Sequence, residues 1–511
     1  MNTLKSVDLL GFRGGTVENS GAVIRLLNRC WVEISCLVGT LLLSGCLNTL
    51  PTQPESGFDS KVSVSLEFPV PLNQRKDATD LFWDGLQARP ADGTTNAPQK
   101  TTNLWQRIRV GLQVPLPGGE AAQRVARHER WYLENPAHLQ RTFSRARLYL
   151  FDIVEAVEKE GLPMEVALLP AVESAFIPMA RSSAAAEGLW QFIAPTGRRF
   201  DLKQHMFSDE RRNVRAATQA AMRYLKELQA RYDGDFQLAL AAYNCGEGCI
   251  DSHVRRAKAR GLPGRFEDLE LNSETANYVP RLLALAKLLS AAVDSENMAG
   301  ITLPAMVNAP YFVATPIHRD MDVKLAAKFA GMPLDAFMAL NPQHKKPVIV
   351  AATNAEVLVP VDRAAGFQEA VASYRGALSS WTTVKIAQPS SIQKLAQTHG
   401  ANAEAIRMVN NIPRAHLVVA GSTLLVPRNS VRNDISMTSV ESAVLMTTPE
   451  MVMRKLVVRK NEGWPSVAKR LGVELSQLQA WNPKIKSLRR GTMQVRLPAT
   501  LGVAYSPTKP V

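Results

Sequence analysis

From about residue 80 to residue 295 the apolar positions recur at helical spacing. Leu139, Phe143, Leu148, Phe151, Val154 and Val157 approximate one apolar face across residues 138–158. Residues 216–232 and 277–291 behave in the same way, and no convincing alternating strand interrupts the block. The pattern predicts a single all-α domain. After Pro304 the texture changes to a repeat: VKLAAKFAGMPLDAFMALNP, IQKLAQTHGANAEAIRMVNN and WPSVAKRLGVELSQLQAWNP share one frame. Counted from Gly331, Gly400 and Gly472, an alanine stands four residues earlier (Ala327, Ala396, Ala468). An apolar residue stands six later (Phe337, Ile406, Leu478), and an asparagine ten later (Asn341, Asn410, Asn482). Each unit opens with a strand-like stretch, YFVATPI, WTTVKIA or KLVVRKN, and closes with another, AEVLVPV, STLLVPR or MQVRLPA. Every unit therefore predicts strand, helix, helix, strand in roughly 50 residues. The small alanine suits close helix contact, and asparagine at a helix end can close the turn with its side chain.

These patterns divide the chain. Residues 80–300 form the helical domain, and the repeats fall at 310–363, 381–428 and 453–499, with linkers expected at 364–380 and 429–450. Residues 47–79 are rich in Pro, Ser and Gln with few periodic apolar positions, which predicts a tether. Residues 1–46 read as an export leader. Arg25 and Arg29 precede an uncharged apolar run at 34–43, followed by Ser44, Gly45 and Cys46. The run is too short to span a bilayer, which takes about 20 apolar residues. Glu33 beside it and the long preceding segment are awkward, and a start downstream of Met1 would shorten the leader.

Composition narrows the partners. The net charge of +14 implies an anionic one: nucleic acid, acidic lipid or a carboxylate-rich wall polymer. Basic residues mingle with acids and form no run of five or six, so no nucleic-acid partner is expected. A mean hydropathy near zero excludes a polytopic membrane protein. Of five cysteines, Cys30 and Cys36 would leave with the leader, and Cys245 and Cys249 remain beside Cys46. A CxxxC spacing is a weak disulfide framework, and passive packing residues are the favoured reading of that pair.

The chemistry centres on residues 171–200, AVESAFIPMARSSAAAEGLWQFIAPTGRRF. Glu173 lies in an otherwise uncharged stretch at 168–180, and an apolar surround raises a carboxyl pKa by disfavouring the charged form. A carboxylic acid kept protonated near neutral pH is what a glycosidic leaving group needs. No Asp or Glu neighbours it at helical spacing; Glu187, fourteen residues on, is expected to be exposed. The stretch ALAAYNCGEG places Tyr243 and Asn244 at a helix end terminated by glycine, and in SETANYVP Thr275 is a candidate N-cap.

Together, LLPAVESAF, GLWQFIAPTGRRFDL, DERRNVRAATQAAMRYL, LALAAYNCGEG and SETANYVPRLLA resemble the family-1 lytic transglycosylases, over residues 104–289. The three repeats resemble LysM modules, which bind N-acetylglucosamine-containing glycans, although unit one has Met321-Asp322 where a Gly-Asp/Glu turn is expected. The resemblance implies an α+β multidomain protein, with an all-α, goose-type lysozyme-like catalytic domain followed by βααβ LysM modules. It implies cleavage of the β-1,4 bond between MurNAc and GlcNAc in peptidoglycan, without water, to 1,6-anhydro-MurNAc. Glu173 would then be the single acid/base. Ser174, Ser182, Gln191, Tyr243, Asn244, Glu274 and Tyr278 would bind substrate, Tyr243 bonding either the N-acetyl region or Glu173. No metal and no cofactor are expected. The leader's end, Leu43-Ser44-Gly45-Cys46, resembles a lipoprotein box, which implies lipidation of Cys46; an ordinary cleaved signal is the other reading. Leu47 after it implies an outer-membrane lipoprotein facing the periplasm, with glycan strands and membrane as partners. A hydrolytic muramidase and a non-catalytic peptidoglycan-binding lipoprotein stand as alternatives.

Overall fold

The computed structural model describes residues 103–291, 297–298, 301–428 and 434–501. The expected leader, Cys46, the tether and residues 80–102 lie outside the described residues. The helical block comprises α1 (Leu104–Val110), α2 (Gly119–Glu134), α3 (Pro136–Ala146), α4 (Leu150–Glu160) and the short α5 (Leu169–Glu173). It continues with α6 (Ala194–Arg199), α7 (Val214–Arg231), α8 (Phe236–Cys245), α9 (Glu247–Ala259) and α10 (Ser273–Ser290). The single face read over residues 138–158 is divided between α3 and α4. The step of five from Phe143 to Leu148 does not fit one helix, and the chain turns at 147–149 to bury Tyr149 completely.

α10 packs along α2 and α8 and carries much of the core, with Val279, Leu282, Leu283 and Leu285 buried. Pro280 sits inside it and has no N–H to give the carbonyl of Ala276. Arg124 Nη1 from α2 reaches that carbonyl at 3.5 Å, so the helix continues through the proline.

All three repeats are βααβ. The outer strands pair antiparallel: Phe312–Pro316 with Glu356–Pro360, Trp381–Lys385 with Thr423–Pro427, and Met451–Val458 with Gly491–Pro498. Between their helices Gly331, Gly400 and Gly472 all have φ near +60° (60°, 58° and 67°), the left-handed turn glycine allows. The anchor alanines and large apolar residues are buried in each unit. The asparagines do more than close a turn. Asn341 Nδ2 donates to Phe337 O (3.0 Å) and Leu358 O (2.9 Å), while its Oδ1 accepts from Leu358 N (2.7 Å). Asn410 makes the same three bonds to Ile406 and Leu425, and Asn482 makes them to Leu478 and Arg496. One buried carboxamide thus staples the second helix to the closing strand in every unit.

The stretches expected as linkers carry structure. A helix, Ala364–Ser373, covers part of 364–380, with Phe367 buried against unit one. Within 429–450, Met437–Glu441 is helical and Thr447–Pro449 pairs with His416–Val418 of unit two. The core of the helical block also continues into unit one without a break. Tyr149 Oη donates to Ala339 O (2.9 Å), Asp209 N to Gln343 O (2.9 Å) and Lys345 N to Phe207 O (2.8 Å). Phe207 further joins Val348 of unit one and Trp381, Val409 and Leu425 of unit two in a second cluster. Unit three has a core of its own, built on Leu456, Trp464, Val467, Leu478 and Val495.

Candidate active site

Glu173 is the last residue of α5, and the backbone behind it is strained. Ala175 and Phe176 have φ of 49° and 56°, left-handed values that cost a side-chain-bearing residue about 1–2 kcal/mol each. The surroundings over-determine the turn. Phe176 is fully buried beside Phe143, its N–H donates to Pro170 O (3.0 Å), and Arg145 Nε donates to Ala175 O (2.7 Å). Strain held in place this way clusters at functional sites. Ser174, one residue after the acid, points inward: it is buried, with Oγ 3.1 Å from Pro170 O and 3.0 Å from Leu189 O. That hydroxyl fastens the acid-bearing turn to the next loop rather than facing a ligand.

Glu173 is half-buried by area, yet its carboxyl is crowded enough that burial pushes its pKa up to about 7. Tyr278 Oη donates to Glu173 Oε1 at 2.5 Å and opposes the rise, as does the charge of Arg281; the Glu274 carboxylate adds to it. The bond to the acid, one of the two roles expected of Tyr243, is thus made by Tyr278. Tyr243 donates to Trp190 O at 2.9 Å and lies close enough to Glu173 to feel its charge. Burial lifts both phenols well above their ordinary pKa, so both are donors at working pH.

Helix starts and ends place the remaining residues. α10 begins earlier than the sequence suggested, because Asn272 is its N-cap, accepting from Thr275 N at 3.0 Å. Thr275 moves into the first turn and its hydroxyl donates to Asn244 Oδ1 (2.8 Å), joining the end of α8 to the start of α10. Glu274, exposed in the same turn, sits where a helix N-terminus favours a negative charge. Directly after Asn244, Cys245 and Cys249 are joined as a disulfide across Gly246, in place of the passive thiols expected.

The loop at 180–192 joins this group through Leu189 O and Trp190 O, which accept from Ser174 and Tyr243. Ser182 is exposed, and its Oγ accepts from Ala186 N (3.1 Å), which leaves the hydroxyl proton available. Gln191 Nε2 donates to Gly188 O (2.8 Å) and Ala180 O (3.3 Å), leaving Oε1 as the end with capacity for a ligand. Gly188 has φ +83°, and a Cβ there would stand 2.2 Å from Arg211 O. Arg211, paired with Asp209, donates to Ala185 O (2.9 Å) and Phe192 O (3.2 Å) and clamps both ends of the loop. Glu187, expected to be exposed, is buried instead and paired with Arg212 (2.7 Å) and Arg181 (3.5 Å).

Arg145, Arg211, Arg281 and Trp190 belong to the site without being among the residues the sequence points to. Only Arg281 left a signal, standing three residues after Tyr278 and so on the same helical face. Among the described residues no cluster of His, Cys, Asp or Glu has the arrangement to hold a metal ion.

Residues 153–262 match the family model described as Transglycosylase SLT domain, and residues 311–376 match Lytic transglycosylase MltD, LysM-like domain. The first match contains Glu173, Ser182, Gln191, Tyr243 and Asn244. The peptidoglycan transglycosylase of Escherichia phage T7 is 33% identical over 131 residues, 25% of this chain and 10% of that one. A solved structure of the lytic transglycosylase Slt from Pseudomonas aeruginosa, an inactive mutant, aligns at 19% identity over 36% of each chain, with a TM-score of 0.23. The membrane-bound lytic murein transglycosylase D of Escherichia coli strain K12 is 30% identical over 411 residues, covering 78% of this chain and 86% of that one. With similarity sustained through the helical block and into the repeats, the chain belongs to the family of membrane-bound lytic murein transglycosylase D.

Proposed function

We propose that the protein is a peptidoglycan lytic transglycosylase in which Glu173 is the single acid and base. The observation that carries the reading is the Glu173 carboxyl itself, pushed up to about pKa 7 by burial and held by the Tyr278 hydroxyl. Near neutral pH a large share of it is protonated and can give its proton to the glycosidic oxygen between MurNAc and GlcNAc. As that bond breaks, the N-acetyl oxygen of the same MurNAc stabilises the developing cation. Glu173, now a carboxylate stabilised by Tyr278, takes the proton of the C6 hydroxyl, and O6 closes on C1. The product is 1,6-anhydro-MurNAc and no water is consumed. Ser182 and Gln191 offer a hydroxyl and an amide oxygen to hold the sugar, and the Thr275–Asn244 bond fastens the start of α10, which carries Tyr278, to the end of α8.

The envelope setting belongs to the same reading. Cys46 would carry lipid and anchor the enzyme in the outer membrane, facing the periplasm. The repeats would hold glycan strands and raise the local concentration of polymer at the acid. Among the described residues no helix is long and apolar enough to cross a membrane.

One observation favours a second reading, a hydrolytic muramidase: the exposed Glu274 carboxylate is close enough to raise the Glu173 pKa, and a second carboxylate can activate water. Digestion of purified sacculi with mass spectrometry of the muropeptides separates the two. Anhydro products lost in Glu173→Gln support transglycosylation. Reducing ends, one water heavier and lost in Glu274→Gln, make the enzyme a muramidase. Undiminished cleavage by Glu173→Gln displaces Glu173 from the chemistry.

A further inference from the structure

The wall beside Glu173 built by α2, α3 and α10 carries a charge pattern that bond cleavage does not use. Arg281 follows Tyr278 by three residues on α10, shares its face, and is exposed. Its charge is felt by Glu173, and also by His128 and Tyr132 of α2 and His138 of α3. It therefore stands where the three helices meet. His138 in turn lies within electrostatic reach of Arg141 and of Arg145, the residue that holds Ala175 O. The His138 ring is 5.2 Å from the Trp131 ring and 6.4 Å from that of Tyr132, and Trp131 is 45% exposed.

Among the described residues neither the Arg141 nor the Arg281 guanidinium has an ion pair or a hydrogen bond to a side chain or carbonyl. Many other arginines of the domain are paired, among them Arg107, Arg124, Arg199, Arg211, Arg212 and Arg231. Two guanidinium groups on one face, with an exposed indole between their helices, present ten N–H donors and a flat apolar surface. That combination matches a carboxylate-bearing chain: guanidinium forks bind carboxylates bidentately, and the indole covers the intervening methylenes.

We propose that Arg141 and Arg281, with Trp131 as a platform, bind the carboxylates of the peptide stem on the muramyl residue being cleaved. The proposal rests on the reading of the chain as a peptidoglycan-cleaving enzyme and adds to it a recognition site for the peptide as well as the sugar. Arg281 is the nearer contact, one turn from Tyr278, and Arg141 the farther, across His138. The stem's lactyl attachment would lie between them and the acid.

The test compares glycan strands of equal length that carry stem peptides or have been stripped of them by an amidase. Binding to full-length Glu173→Gln is measured at equilibrium, and cleavage by the full-length active enzyme in parallel. Loss of charge-assisted bonds predicts that Arg141→Gln/Arg281→Gln lowers the preference for stem-bearing strands about tenfold, in binding and in KM more than kcat. Arg281→Lys is expected to keep part of it. An equal loss on both substrates would reduce the arginines to supports of the acid and overturn the proposal. So would an unchanged preference, or a wild type with none. If Trp131→Ala weakens both substrates alike while the arginine variant weakens neither, the wall is a sugar platform only and the proposal fails. Should the active enzyme yield no anhydro product, the functional reading fails while the binding comparison still decides the stem site.

Discussion

The repeats and the catalytic turn each set a polar side chain among apolar neighbours, and they satisfy it differently. Asn341, Asn410 and Asn482 use both ends of the carboxamide, two donor bonds and one acceptor bond apiece, on a helix and a strand. Glu173 takes a hydrogen bond from Tyr278, follows on a turn with left-handed Ala175 and Phe176, and is crowded enough to resist ionisation. A buried polar group fully bonded is structural cement, because removing it strands its partners. A buried acid left short of partners is costly to the fold and available for proton transfer.

The largest test of that contrast is Glu173→Gln. On the proposed mechanism one group supplies both the acid and the base step, so cleavage should fall by about 10³-fold or more. The same variant should be more stable where Glu173 would be ionised. The folded pKa of about 7 lies above the ordinary value of 4.5, so the wild type binds more protons folded than unfolded between those values. Its stability therefore declines as pH rises through that window, and the deficit is complete above pH 7. Urea unfolding at pH 8 should show a gain of about 3 kcal/mol that is absent at pH 4. No gain at pH 8 would mean that the acid is not held at a cost.

The opposite signature is expected next in size. Asn341→Ala should destabilise the protein by about 3 kcal/mol, since it leaves the N–H and the carbonyl of Leu358 unpaired in the core, while Phe337 O keeps the backbone N–H of residue 341. Asn482→Ala should melt unit three alone, which has its own core, leaving the pH profile for short soluble glycans unmoved. A changed pH profile would show the two regions to be coupled.

Smaller effects sharpen the catalytic side. If Glu173 is the proton donor proposed above, activity should decline as pH rises through about 7, where it loses that proton. Tyr278 holds that pKa down, so Tyr278→Phe should shift the decline to higher pH and lower the rate about tenfold. The Glu274 charge holds it up, so Glu274→Gln should shift the decline to lower pH by less than the tyrosine change moves it. Rate profiles of the three proteins in one buffer series decide both signs.

Much of this contrast was legible in the chain, for reasons tied to range. Glu173 stood out because a lone acid interrupts an uncharged run, and the anchor asparagines stood out because three copies agree. What each residue bonds was not legible. Tyr278 is 105 positions from Glu173, and only the packing of α10 brings them together. Glu187 was misjudged because its partner Arg212 arrives from 25 positions away. The linker at 364–380 hid a helix because Phe367, its main buried anchor, is one aromatic in a stretch of alanines and polar residues. The break between α3 and α4 was present in the spacing, as the step of five between Phe143 and Leu148.

The unbroken core from the helical block into unit one has a mechanical consequence. Rotating that unit against Glu173 would pull Tyr149 from Ala339 and open the seam to water, at roughly 1.5–3 kcal/mol for each large apolar side chain exposed. The Glu173 site and the first repeat therefore move as one piece. On the proposed reading, polymer gripped by unit one would meet Glu173 at a set offset, like stock clamped in a jig, and the length of that offset is decided when the chain folds.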